Sequence, residues 1–379
     1  MSWKTIAVLI LVVVLLGVVV AGVVYLKHQK MVKDSKQQFI MGKALMEKNQ
    51  YREAAELFRM LKDQYGKFID EDELDYLLAD SYLQFASPEA VPLWEKISKK
   101  DKNSKYYWPS MLNLAKFYDS NEKTYEKALN YYNTIMSASS ASKYHPESAV
   151  GSAIVKYRMG SDVEARDELY SVIEKWPDAL CIGEAMDLLS DINTKLIFSP
   201  RMDGFGQLYT IKRGDTPIGI ANQFDTTAMY LMMANGIGEN IKIGKRIKVP
   251  TISYRIVVSK KDKHLYLYSK EDGKFIKRYL VGIGKYDYQT PLGTFTISNK
   301  QKNAVWYSPN GIVYPDDPEY PLGTRWLGFG EGSSIGIHGT NEPETIGKNS
   351  SQGCVRMHNE DVEELYVLAT IGTSVEIRE

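Results

Sequence analysis

Cysteine is almost missing from this chain: its 379 residues include two, Cys181 and Cys354. With so few thiols and no CxxC, neither a disulfide framework nor a structural zinc site organises the fold. Histidine is scarce too, at five, and neither sign of charge is in surplus, with 47 Lys+Arg against 47 Asp+Glu. A neutral balance argues against nucleic acid as the main partner. With 28 Gly, 14 Pro, 44% hydrophobic and 25% charged residues, collagen-like, mucin-like and largely disordered chains are excluded. The length exceeds one typical domain and predicts two to four.

What is present is segmented. Residues 1–36 hold five lysines against one aspartate, residues 37–195 hold 20 basic against 26 acidic side chains, and residues 208–251 hold six against three. Ile6 to Leu26 is a run of 21 residues without a charge. At about 1.5 Å per residue it spans roughly 30 Å, the thickness of a bilayer core. The apolar core of a cleaved secretory signal is shorter and is followed by an A-x-A site; here there is none, nor any nearby cysteine for a lipid. The reading is an uncleaved single-pass anchor, residues 6–26. Lys27, Lys30, Lys33 and Lys36 follow it and Lys4 precedes it. That bias favours a cytoplasmic main chain, but the positive-inside rule is weaker for long translocated domains. The expected topology is a short cytoplasmic N-terminus, residues 1–5, with the chain from about His28 outward.

Residues 37–195 read as helical, with a recurring echo. Tyr51-x-x-Ala54, Ser87-x-x-Ala90, Tyr125-x-x-Ala128 and Asp162-x-x-Ala165 each lead to a pair of large residues, and the alanines stand 36, 38 and 37 residues apart. A small residue admits a neighbouring helix and the large ones fill its groove. The period resembles tetratricopeptide helix hairpins, whose repeat is about 34 residues. The alternative is a plain helical bundle, and under either reading the aromatic positions are core. A solenoid would offer a concave surface to a protein partner or space the rest from the membrane.

Residues 207–251 alternate strand, helix, helix, strand. Asp215 or Thr216 can cap the first helix and Thr226 or Thr227 the second, and Asn235-Gly236 turns the chain. With Tyr209, Gly214-Asp215-Thr216, Ile220-Ala221, Phe224, Leu231, Asn235 and Val249-Pro250, the segment resembles the LysM domain, departing at Pro217 where the family usually has Leu. The resemblance implies binding to N-acetylglucosamine-containing glycan, with Gly214, Asp215, Thr216 and Asn235 as candidate contacts.

Residues 254–378 read mostly as strand, with one helix expected from about Asp361 to Thr370, capped by Asp361 and Glu364. His338-Gly339-Thr340 precedes Cys354 by 16 residues, counted from the histidine. A thiol becomes a useful nucleophile when an imidazole takes its proton. Backbone N–H groups beside it can stabilise an oxyanion, and Arg356 can steer a carboxylate. His358 is a rival base, set aside because Cys354 falls before the helix. His358 and Cys354 together lack the remaining donors of a zinc site. Cys181 lies in a helical stretch and reads as core.

IHGT (337–340), IGKNSSQGCVRM (346–357) and NEDVEELY (359–366), with the upstream VGIGKYDYQTPLGTF and PLGTRWLGF, resemble the L,D-transpeptidase, or YkuD-like, catalytic domain. The resemblance implies Cys354 as nucleophile and His338 as general base and acid. It implies a main-chain carbonyl, assigned to Gly339, as the group orienting the imidazole. Gly353, Ser351, Arg356 and Thr340 become oxyanion or substrate contacts. Many members have His where this chain has Gln352. The fold expected is multidomain: a transmembrane helix, an all-α TPR-like array, a small α+β LysM domain and a mostly-β catalytic domain. The function implied is a bacterial membrane-anchored enzyme facing the cell wall. It would attack the third residue of a stem tetrapeptide, release D-alanine and form 3→3 cross-links, with no metal or organic cofactor. Its partners would be peptidoglycan glycan strands and stem peptides. Hydrolysis by water, transfer to a protein lysine, or a non-catalytic wall-binding scaffold are the alternatives.

Overall fold

The computed structural model describes residues 2–308, 311–318, 320–330 and 334–379. The chain divides into two compact units, one running to Val155 and the other from Lys156 to Glu379.

The first unit is helical. Helix α1 (Trp3–Glu47) carries the apolar run and continues unbroken into the array, so no linker separates the apolar run ending at Leu26 from helical residues starting at Gln37. Its apolar stretch is the one helix among the described residues long and apolar enough to cross a membrane. Beyond it Ser35 is fully buried, and Phe39 packs on Phe58 at 5.9 Å. Then follow α2 (Tyr51–Tyr65), α3 (Glu71–Leu83), α4 (Ala90–Ile97), α5 (Tyr107–Asp119), α6 (Tyr125–Ser137) and α7 (His145–Arg158), the last crossing into the second unit. Asp70 caps α3 by accepting from the Glu73 N–H at 2.8 Å. The alanines of the echo are buried where helices meet: Ala54, Ala90 and Ala128 here, and Ala165 in the next helix. Around them Phe58, Leu61, Trp94 and Tyr132 form the core.

The second unit opens with α8 (Asp162–Lys175) and α9 (Ile182–Ile197). Cys181 stands at the N-cap of α9 and is half-buried, not a core side chain as expected. Next come β1 (Gly206–Thr210), α10 (Pro217–Gln223), α11 (Ala228–Asn235) and β2 (Arg246–Pro250), the LysM order, with β1 and β2 antiparallel. Thr216 caps α10 and Thr227 caps α11. Pro217 sits in the first turn of α10, where its missing N–H costs nothing.

The remaining strands are β3 (Tyr254–Ser259), β4 (His264–Ser269), β5 (Phe275–Leu280), β6 (Ile283–Gly284), β7 (Gly293–Lys302), β8 (Trp306–Ser308), β9 (Gly311–Val313), β10 (Arg325–Phe329), β11 (Gly336–His338), β12 (Asn349–Ser351), β13 (Val355–Arg356) and β14 (Ser374–Arg378). Eight of them form one mixed sheet in the order β13-β11-β10-β7-β14-β3-β4-β5. Helix α12 (Asn359–Leu368) starts two residues earlier than expected, with His358 at the N-cap and no capping side chain. The expected Asp361–Glu364 box does not form, because Glu364 instead accepts from Tyr279 and Lys277.

The LysM strand β2 is fastened to its surroundings. The fully buried Lys248 ammonium donates to the Leu196 and Ser199 carbonyls and pairs with Asp203 at 3.2 Å. Burial depresses its pKa, opposed by the Asp203 carboxylate. The Tyr230 hydroxyl meets that of Tyr254 at 2.8 Å.

Candidate active site

His338 ends β11 and Cys354 immediately precedes β13. The two strands pair in parallel, Ile337 with Val355 and His338 with Arg356, and the Met357 N–H donates to the His338 carbonyl at 2.8 Å. This register brings residues 16 apart in sequence to neighbouring strand ends. Both side chains line one cavity of about 460 Å³, together with Arg356, Gln352, Trp306 and Tyr307. His358 does not line it.

The imidazole is held on two sides. His338 is 3% exposed, and its ring stacks on that of Trp326, its cross-strand partner on β10, at 5.9 Å. Its Nδ1 lies 2.6 Å from the Gly339 carbonyl oxygen. A carbonyl only accepts, so the proton sits on Nδ1 and Nε2 keeps its lone pair. Burial lowers the His338 pKa to about 4, against the raising effect of the Gly339 carbonyl; the Arg356 charge lowers it further. The ring is therefore a neutral imidazole at neutral pH.

Cys354 follows Gly353, whose φ of +105° only glycine adopts without strain. The resulting turn lifts the thiol to the strand end. Burial pushes the thiol pKa up, while a backbone hydrogen bond from Gly336 and the Arg356 charge pull it down. The thiol donates to the Ser334 carbonyl at 3.6 Å, and the cysteine is not disulfide-bonded.

The other expected contacts divide. Arg356 faces the cavity; its guanidinium donates to Glu342 at 2.9 Å, and its Nε is buried without a hydrogen-bond partner among the described residues. Ser351 and Gly353 are committed to the turn: the Gly353 N–H donates to Ser351 Oγ at 3.2 Å, and that hydroxyl donates to the Cys354 carbonyl at 2.6 Å. Their groups shape the loop instead of remaining open to an oxyanion. Thr340 is likewise engaged, its N–H and carbonyl with Asn359 and its hydroxyl accepting from the Glu342 N–H.

The four candidate glycan contacts have structural roles, with Gly214 and Thr216 exposed and Asp215 and Asn235 half-buried. Gly214, at φ +88°, makes a turn. Asp215 accepts from the Tyr209 hydroxyl and the Lys212 N–H, and Thr216 caps α10. Asn235 bridges the Leu231 carbonyl to both backbone groups of Lys248. They build the module; its cavity, about 330 Å³, is lined instead by Ile211, residues 237–238 and 240–242, and Lys245.

Two site residues had no individual role in the sequence reading, Trp326 and Asn359. Each lies inside a recognised stretch, but its partners are set by strand pairing that no local pattern encodes. Among the described residues, no group of three His, Cys, Asp or Glu comes within metal-ligating range.

The L,D-transpeptidase catalytic domain family model matches residues 253–377, the LysM domain model residues 209–250 and the tetratricopeptide repeat model residues 38–67. A protein of Bacillus licheniformis named L,D-transpeptidase YkuD is 40% identical over 178 residues, 45% of this chain and 98% of that one. Its Bacillus subtilis namesake is 38% identical over 176 residues, 45% and 97%. Among solved structures, an L,D-transpeptidase from Mycobacterium tuberculosis aligns at 18% identity with a TM-score of 0.30, over 36% of this chain and 64% of that one. With nearly the whole length of two such relatives covered, and a catalytic-domain match that spans the His338 and Cys354 strands, this chain belongs to the L,D-transpeptidase family.

Proposed function

We propose that the chain is a membrane-anchored peptidoglycan L,D-transpeptidase that works through a Cys354 thioester. The observation that carries this is the pairing of a free thiol with a neutral, Nδ1-protonated imidazole at one cavity. At rest both groups are uncharged, so the imidazole acts as a base when substrate arrives. Its Nε2 takes the thiol proton as Sγ attacks the carbonyl of the third stem residue. The tetrahedral intermediate then collapses. The C–N bond to D-alanine breaks, and the imidazolium returns its proton to the leaving amine. A neighbouring stem's side-chain amine attacks the thioester, gives up a proton to His338, and restores the thiol. The product is a 3→3 cross-link. The cationic Arg356, which lines the cavity, would hold the carboxylate of the departing residue.

The LysM module, held against the catalytic domain, presents glycan beside the site. Helix α1 crosses the membrane with the enzyme outside. Ser35 and Phe39 already belong to the folded array on the same helix, which supports an uncleaved anchor.

Incubation with defined disaccharide tetrapeptides, followed by mass analysis of protein and products, tests the reading. An acyl adduct lost in Cys354→Ala and kept in Cys181→Ala, with cross-linked dimers, is expected. Dimers made by Cys354→Ala would overturn it, and tripeptide without dimers would mean that water is the acceptor.

A further inference from the structure

The group that orients His338 is a carbonyl, and a carbonyl has no fixed direction unless its peptide plane is held. Gly339 and Thr340 share that plane. In a trans peptide the C=O and the N–H point to opposite sides, and no cis bond occurs among the described residues. On one side the Gly339 oxygen meets His338 Nδ1 at 2.6 Å. On the other the Thr340 N–H donates to Asn359 Oδ1 at 3.1 Å. One rigid plate therefore has the imidazole at one end and a carboxamide at the other.

Asn359 holds more than this one bond. Its Nδ2 donates to the Thr340 carbonyl at 3.0 Å, and its Oδ1 also accepts from the Thr324 N–H at 3.2 Å. The loop packs tightly around it. A Cβ on Gly339 would stand 2.1 Å from Asn359 Oδ1, and one on Gly323 would stand 2.2 Å away. Both positions are glycine in this chain, which is what lets the carboxamide enter. Asn359 is itself the first residue of α12, a packed helix whose Val362 and Leu365 are fully buried. The clamp is thus mounted on a rigid element.

We infer that Asn359 is a positioning residue for the reaction: through the Gly339–Thr340 peptide plane it aims the Gly339 carbonyl at His338 and so fixes the Nδ1-protonated tautomer that leaves Nε2 free to take the thiol proton. The role builds on the proposed function, since it presumes that His338 is the base. Asn359 does the work by way of a peptide group that a carboxylate performs directly in other nucleophile–imidazole sites.

The test uses the full chain in detergent with ¹⁵N-labelled histidine. The His338 signals are identified by their loss in His338→Gln, and tautomer is read from the two ring-nitrogen shifts. Asn359→Ala is expected to turn a single Nδ1-protonated form into a mixture. It should lower kcat for acylation on the order of 10²-fold, the scale of a small misplacement of a reacting group, with KM unchanged. Asn359→Asp keeps the acceptor for both N–H groups and gives up the Nδ2 bond to the Thr340 carbonyl, so the wild-type tautomer should return with part of kcat. Asn193→Ala, a variant in α9 against the far edge of the sheet, controls for lost stability and should leave the His338 signals in place. An unaltered tautomer in folded Asn359→Ala, or an Asn359→Asp variant with the tautomer mixture and kcat loss of Asn359→Ala, would overturn the inference. The tautomer is measured without substrate, so a shift with no acyl adduct in wild type would remove the functional reading and leave the clamp standing.

Discussion

The two edges of the eight-stranded sheet are built on opposite plans. At one edge β5 offers backbone groups that would otherwise be open to another strand, and α8 and α9 cover them with side chains. Asn193 donates to the Ile276 carbonyl at 2.9 Å, the Tyr170 hydroxyl to the Phe275 carbonyl at 2.9 Å, and Ser190 Oγ accepts from the Arg278 N–H at 3.2 Å. The Arg278 guanidinium then pairs with Asp187 at 2.7 Å. At the other edge β11 and β13 are three and two residues long and end at the cavity. A long open edge is an aggregation hazard and is sealed here by helices; the short β13 is closed by a single bridge, Arg356 with Gly282, and is open at its end on the cavity. The sealed edge spends its polar side chains on satisfying backbone. The open edge uses backbone, the Gly339 carbonyl above all, to aim a side chain. Under the proposed mechanism stability and chemistry fall on opposite sides of one sheet, and substitutions on the two sides should separate them.

The largest separation is expected at the open edge. His338→Ala should slow acyl-adduct formation, followed by intact-protein mass, by about 10²–10⁴-fold, the range for loss of a general base. His358→Ala, at the N-cap of α12, should have a mild effect; a larger loss from His358 than from His338 would mean that the wrong imidazole has been identified. On the sealed side Lys248→Met should act through stability. It strands the Asp203 carboxylate, which is 1% exposed, and breaking a buried pair from one side costs about 3–5 kcal/mol. Urea unfolding should show this, with the adduct rate per folded molecule little changed. A denaturation curve superimposable on wild type would show that the LysM strand is not fastened by this pair.

The contrast also explains what could be read in advance. The array was legible because its contacts recur: Ala54, Ala90, Ala128 and Ala165 keep a period and all are buried. The LysM segment was legible as a module from its turn and cap residues. The same residues have structural roles, since Asp215, Thr216 and Asn235 use polar atoms within the module. His338 and Cys354 stood out by residue type and motif. Asn359 and Trp326 did not, because their significance lies in backbone atoms and a ring brought near by the β10–β11 register. β11, with three residues, has no measurable alternation, so that register left no trace in the sequence. The misplaced helix start has a similar cause: Asp361 and Glu364 have cap-like spacing, but Glu364 is drawn to Tyr279 and Lys277 on β5.

A pH measurement sharpens the comparison from the open side. The native His338 pKa of about 4 lies below its ordinary 6.5. Between these values the unfolded chain binds more protons than the folded one, so stability from this group is full above pH 6.5 and is lost as pH falls toward 4. The shift corresponds to about 3 kcal/mol. His338→Gln should lose less stability than wild type between pH 6.5 and 4, when both are unfolded in urea at each pH. Parallel losses in the two proteins would show that His338 titrates normally and is not held neutral by its surroundings.

The smallest expected effect belongs to the sealed edge and is the strictest test of the division. Asn193 is fully buried, and its amide nitrogen donates to the Ile276 carbonyl at 2.9 Å and more weakly to Phe275 at 3.4 Å. Its Oδ1 has no hydrogen-bond partner among the described residues, so Asn193→Ala removes a donor that β5 needs and an acceptor that nothing uses. Leaving a buried carbonyl unpaired costs about 1–3 kcal/mol; here the relief of the unpaired Oδ1 offsets part of that, which places the loss toward the lower end. The cost falls five strands from β10 in the sheet order, and six from β11. Acyl-adduct formation per folded molecule should therefore match wild type while the urea midpoint falls. A drop in the adduct rate with little change in midpoint would show that the far edge participates in aligning His338, and the two edges could no longer be treated as separate.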